Sequence, residues 1–85
     1  MQTTGEAEIR QLVETLVGSV FGTVPHIRIE PKGVGINVSV WSDEPEAMAS
    51  LIGRHGSNAE ALRQLVAFWG KERHMVLNLH IVPNR

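Results

Sequence analysis

The sequence predicts an α+β domain with helices packed on one face of a three-stranded mixed sheet. Three observations carry the prediction. Helical stretches space their apolar residues with the period of a helix. Three other segments alternate apolar and polar residues. The elements come in the order helix, strand, strand, helix, helix, strand. A length of 85 residues suits one domain rather than two. Apolar residues at 42% against charged residues at 20% fit a folded globule and argue against a disordered tail. One domain over residues 1–85, with a core from about residue 6 to 82, is expected.

The first helix is expected from about Glu6 to Phe21, where Ile9, Leu12, Val13, Leu16, Val17 and Val20 fall on one stripe. Thr4 can cap it, acids occupy the first turn where the helix dipole favours them, and Gly22 stops it. His26 to Glu30 alternates, with Ile27 and Ile29 on one face. Pro31-Lys32-Gly33 supplies turn chemistry, and Val34, Ile36, Val38 and Val40 then alternate with Gly35, Asn37, Ser39 and Trp41. An antiparallel hairpin with one buried face follows.

Ser42, Asp43 or Glu44 can cap a short helix that opens on Pro45, buries Met48, Leu51 and Ile52, and stops at Gly53. Ser57 or Asn58 can cap the next, with Leu62, Leu65, Val66 and Trp69 on one face and Gly70 as its stop. Phe68 lies off that stripe, and its exposure would mark a patch for a partner. The last strand runs from His74 to Val82, with Met75, Leu77, Leu79 and Ile81 inward and Pro83 ending it. It is expected to lie parallel to one member of the hairpin, which one being open.

Several function classes are excluded or disfavoured. Cysteine is absent, which excludes disulfides, thiol catalysis and thiolate metal sites. The run Leu65 to Trp69 is too short to cross a bilayer. Met1 to Glu6 has neither the basic nor the apolar block of a secretory signal, so a cytoplasmic protein without membrane contact is expected. His26, His55, His74 and His80 show no metal-ligand spacing, and no nucleophile triad, Gly-Lys-Ser loop or acid pair appears. No enzyme, metal or cofactor is expected. The net charge of −1 argues against a broad basic face for duplex DNA. The charge is unevenly placed: three basic residues face seven acids through Ile52, and five face two from Gly53 onward.

The functional signal lies in Leu51-Ile52-Gly53-Arg54-His55-Gly56-Ser57-Asn58. Glycine at both ends of a four-residue bend lets another backbone approach closely. The next helix points its N–H groups at the same spot, an arrangement that attracts phosphate. Arg54 and His55 at the tip add side-chain contacts, and Ile52 with a neighbouring strand offers an apolar wall for bases. A Gly-x-x-Gly alone is ordinary turn chemistry. Its frame here, between two helices and after a hairpin, points to a binding loop.

In this element order, Ile52-Gly53-Arg54-His55-Gly56 resembles the loop of a type II KH domain. From first helix to last strand the chain is similar to the small bacterial proteins built of one such domain. The resemblance implies single-stranded RNA binding, as by an RNA chaperone or post-transcriptional regulator, with the loop clamping about four nucleotides of backbone. Gly53, Arg54, His55 and Gly56 match the loop, and Ile52 matches the apolar residue before it. Ser57 and Asn58, opening the next helix, join the expected contacts. The bases are expected along Ile36, Val38 and Val40, with Ala59 on the floor, where the family usually carries a branched aliphatic residue. The resemblance also implies partners: a homodimer, a heterodimer with a larger KH-containing RNA-binding protein, or the ribosome. Trp41 is expected to pack under a loop rather than stack on a base.

Overall fold

A computed structural model of the protein describes residues 3–22 and 24–82. The elements are α1 (Thr3–Phe21), β1 (His26–Lys32), β2 (Gly35–Trp41), α2 (Pro45–Ile52), α3 (Ser57–Glu72) and β3 (Leu77–Ile81). A 3-10 turn at Arg54–Gly56 joins α2 to α3. The sheet order is β1-β2-β3, with β1 antiparallel and β3 parallel to β2. The open choice for the last strand is thereby made: it joins β2, and α2 and α3 form the crossover that a parallel pair requires.

The register explains the alternation in the sequence. Ile27 and Ile29 lie opposite Val40 and Val38, while Ile36, Val38 and Val40 lie beside Leu77, Leu79 and Ile81. These residues share one face, which meets Ile9, Val13 and Val17 of α1, Met48 and Leu51 of α2, and Leu62 and Val66 of α3. Each fully buried aliphatic side chain contributes about 1.5–3 kcal/mol. The other face of the sheet carries His26, Arg28 and Glu30 opposite Trp41, Ser39 and Asn37. Among the described residues, no helix is long and apolar enough to cross a membrane.

Several boundaries differ from expectation for identifiable reasons. Pro31 and Lys32 pair with Ile36 and Gly35 inside the hairpin, so only Gly33 and Val34 form the turn. Gly33 takes φ +61°, and Val34 is 96% exposed instead of continuing the inward row. Pro31 is tolerated because β1 is an edge strand. The first helix already includes Thr3; the Thr4 side chain and Pro83 lie outside the described part. Val20 and Leu65 are exposed. Leu65 precedes the buried Val66 and therefore points about 100° away from it round the helix. Phe68 is 62% exposed, as its place off the stripe predicts.

Gly70 does not stop α3. It is buried inside the helix, where an added Cβ would lie 2.7 Å from Leu77 Cγ and 3.0 Å from the Met75 carbonyl oxygen. Its missing side chain lets the chain leading into β3 cross close to the helix. The helix is closed instead by two backbone bonds, Met75 N–H to the Gly70 carbonyl (2.8 Å) and His74 N–H to the Lys71 carbonyl (3.0 Å). This is a Schellman closure, and His74 fills its left-handed position at φ +60°, where glycine is usual. The closure uses residues 73–76, so β3 begins at Leu77 rather than His74.

Two changes test this packing by chemical denaturation. Gly70→Ala should destabilise the domain by about 1–3 kcal/mol through overpacking against Leu77. His74→Gly should stabilise it by roughly 0.5–1.5 kcal/mol by relieving the left-handed backbone.

Candidate functional site

The bend between α2 and α3 is held from inside. Gly53, at φ +76° and ψ +173°, donates its N–H to the Ala49 carbonyl at 2.8 Å. A Cβ at Gly53 would lie 2.6 Å from Asn58 Cγ and 2.8 Å from Asn58 N. Asn58 is pinned there because its Nδ2 donates to the Ser50 carbonyl at 2.8 Å. That bond ties the end of α2 to the start of α3 across the bend. His55 follows at φ +56° and ψ +26°, also left-handed, and Gly56 at φ +78° and ψ +13°.

The two glycines do different work. Gly53 is required by the pressure of Asn58. A Cβ at Gly56 would meet nothing within 4 Å, so the space above Gly56 is open. The Gly56 N–H bonds to the Gly53 carbonyl at 3.1 Å, and the Ser57 N–H bonds to the Arg54 carbonyl. Three amides of the expected cradle, those of Gly53, Gly56 and Ser57, are thus committed within the protein. The cap differs too: Gly56 occupies the N-cap position of α3, with no side-chain cap bond from Ser57 or Asn58. What the bend presents outward is the exposed side chains of Arg54, His55 and Ser57, with Ile52 half-buried beside them.

The expected groove lies elsewhere. Val38, Val40 and Ala59 are buried in the protein, and Ile36 is half-buried. Val38 and Val40 lie on the sheet face that the helices cover. With β3 outside it, β2 is the central strand and has no free edge, so on this side of the sheet the edge is β3. Two bonds fix its phase: Ile36 N–H to the Val76 carbonyl and Val82 N–H to the Val40 carbonyl, both 2.9 Å. In a parallel ladder alternate residues bond the same neighbour, so residues 76, 78, 80 and 82 serve β2. The N–H and C=O groups of Leu77 and Leu79 therefore face the open edge. These residues are only 4% and 3% exposed, and buried main-chain polar groups normally find partners.

Opposite this edge stands α3, with Arg63, Gln64 and Ala67 turned toward it. Between them lies an open cleft of about 300 Å³, also bordered by Asn78 and His80. Arg63 follows Ser57 by six residues, about 9 Å along the helix axis. The bend thus lies outside the lining of the cleft, toward the N-terminal end of α3. Sequence reasoning missed Arg63, Gln64, Ala67, Asn78 and His80. The signal was present in the alternation of β3, but it acquires meaning only once that strand is known to be an edge.

Charge at the site is sparse. Arg63 donates to Glu60 at 2.9 Å, and Gln64 donates to the other Glu60 oxygen at 3.1 Å. The hydrogen bond from Arg63, then that from Gln64, then the Arg63 charge hold the Glu60 carboxyl below its usual pKa. Glu60 therefore stays ionised through neutral pH and partly cancels Arg63, and the pair is lost only on acidification through the carboxylate range. Arg54 makes no ion pair among the described residues. Lys71 and Arg73 lie at the far end of α3, where Arg73 stacks over Trp69 at 4.1 Å. Trp41 is half-buried against the edge of the core. It stacks on His26 with ring centres 5.4 Å apart, and His26 Nε2 lies 2.8 Å from Asp43 Oδ2.

No family model matches the chain, and no curated protein or solved structure matches it either.

Alanine at each glycine separates their roles. Gly53→Ala should cost about 2–4 kcal/mol, since strain and the Asn58 clash add. Gly56→Ala should cost about 1–2 kcal/mol, from the backbone conformation alone. Thermal denaturation of the two variants checks the order.

Proposed function

We propose that this chain is a single-stranded RNA-binding domain of the type II KH kind, acting without catalysis as an RNA chaperone or post-transcriptional regulator. The observation that carries the reading is the cleft beside α3. It lies about 9 Å along α3 from the bend, and its far wall is the β3 edge, where the outward main-chain groups of Leu77 and Leu79 take no hydrogen bond among the described residues. A sugar–phosphate backbone passes over Gly56, where no side chain stands in the way, and Arg54 meets its phosphates. The bases turn into the cleft. There the Leu77 and Leu79 N–H and C=O groups meet base edges, and apolar side chains border the base faces. Duplex RNA would hide those edges in its own pairing, so an unpaired strand is the fitting ligand.

The committed amides change the mechanism expected from the sequence. The bend contributes shape and two side chains more than a ring of free N–H groups. With Arg54 free and Arg63 shared with Glu60, few phosphates are neutralised. Affinity is then modest, and its logarithmic salt slope is shallow, roughly −0.7 per phosphate. A protein partner is the second reading. It is favoured by the exposed Leu65 and Phe68 on α3, a face suited to a second copy or to a larger KH-containing protein.

Fluorescence anisotropy with a labelled single-stranded RNA, and crosslinking in cells, test the reading. The double change Arg54→Asp with His55→Asp should weaken binding about tenfold or more while the circular dichroism spectrum is kept. Ala67→Glu, which fills the cleft with a carboxylate, should do the same. Unaltered crosslinking in both variants would overturn the reading and leave the partner-binding one.

A further inference from the structure

We propose that His55 makes RNA binding by this site dependent on pH, its imidazolium supplying the second cation at the tip of the bend. The proposal rests on the RNA-binding reading and adds its regulation. His55 occupies a left-handed conformation, φ +56° and ψ +26°, that glycine adopts with less strain. The left-handed backbone admits histidine more readily than most residues, as at His74, but does not demand it. The side chain is exposed, and among the described residues it makes no hydrogen bond or ion pair. His26, by contrast, is engaged with Asp43 and stacked on Trp41.

The charged surroundings are few enough for one proton to matter. Arg54 is the neighbour in the chain. The last turn of α2 carries no basic residue, and its sequence Ala49 to Ile52 carries no acid. The first two turns of α3 bring Glu60 and Arg63, joined to each other. Across the cleft β3 brings His80. No carboxylate among these is free to neutralise an imidazolium at the tip. Protonating His55 would then raise the unpaired positive charge at the bend from one to two.

Histidine ordinarily changes charge between about pH 5 and pH 8. A phosphate brought against His55 favours its charged form, so RNA binding and proton uptake assist one another. Acid strengthens binding until His55 is fully protonated, and alkali weakens it until it is neutral. His80 borders the same cleft and must be separated from His55 by its own variant.

Anisotropy with a uridine dodecamer at constant ionic strength, between about pH 5.5 and pH 8, supplies the test. The wild type should bind about two- to fivefold tighter at the acid end. His55→Asn, which tolerates the left-handed backbone, should bind with little pH dependence and as weakly as the wild type at alkaline pH. His55→Lys should bind with little pH dependence and as tightly as the wild type at acid pH, and His80→Asn should keep the dependence. In proton NMR the RNA should raise the titration midpoint of the His55 imidazole and leave those of His26 and His74 in place. Wild-type binding that does not vary with pH, or a dependence that survives His55→Asn, overturns the proposal while the RNA-binding reading stands. Absence of binding at every pH overturns both.

Discussion

A strand that joins a sheet parallel to its neighbour must be reached by a crossover, and here the crossover is α2, the glycine bend and α3. That one pairing arranges the rest. It makes β2 the central strand and seals Val38 and Val40 beneath the helices. It leaves β3 as an edge, with α3 packed alongside. It also sets the phase of the ladder, so that the main chain of Leu77 and Leu79, not that of Asn78 and His80, faces the cleft. Had β3 paired with β1 instead, the open edge would belong to β2.

The bend is held in one shape by its own contacts. Asn58 holds the Ser50 carbonyl and presses on Gly53, while the Gly56 and Ser57 amides close small rings within the turn. A loop whose amides are tied to its own carbonyls loses some donors but gains a fixed shape. Less ordering is then required when a ligand arrives. The exposed Arg54 and His55 side chains are carried on that fixed frame, and the open space over Gly56 keeps its place between them.

Much of this was legible in the residues. Gly22 stops α1, the alternation of Ile27 to Val40 marks the buried face, and Gly53 to Gly56 stands out as a bend between helices. What the sequence hid were features decided by partners distant along the chain. Gly70 looks like a helix stop, yet its role is set by Leu77 crossing against it. Val38 and Val40 read equally well as groove or core until the strand outside them is known. The Ser57 cap fails because Gly56 already takes that position with left-handed backbone. Val34 follows the alternating pattern of β2, but a two-residue turn places it outside the ladder.

The uneven charge of the sequence also takes its meaning from the fold. The basic surplus after Ile52 is not gathered at the bend, because Lys71 and Arg73 ride to the opposite end of α3 and Arg63 is shared with Glu60. A site with so little free charge cannot hold a polyanion by counterion release alone. On the proposed reading its discrimination comes from shape and from main-chain hydrogen bonds along β3, which are insensitive to salt compared with ion pairs at the surface. In such a site each remaining charge carries more weight, and on the proposed reading the exposed side chains at the tip of the bend, Arg54 and His55, set the affinity without any movement of the fold.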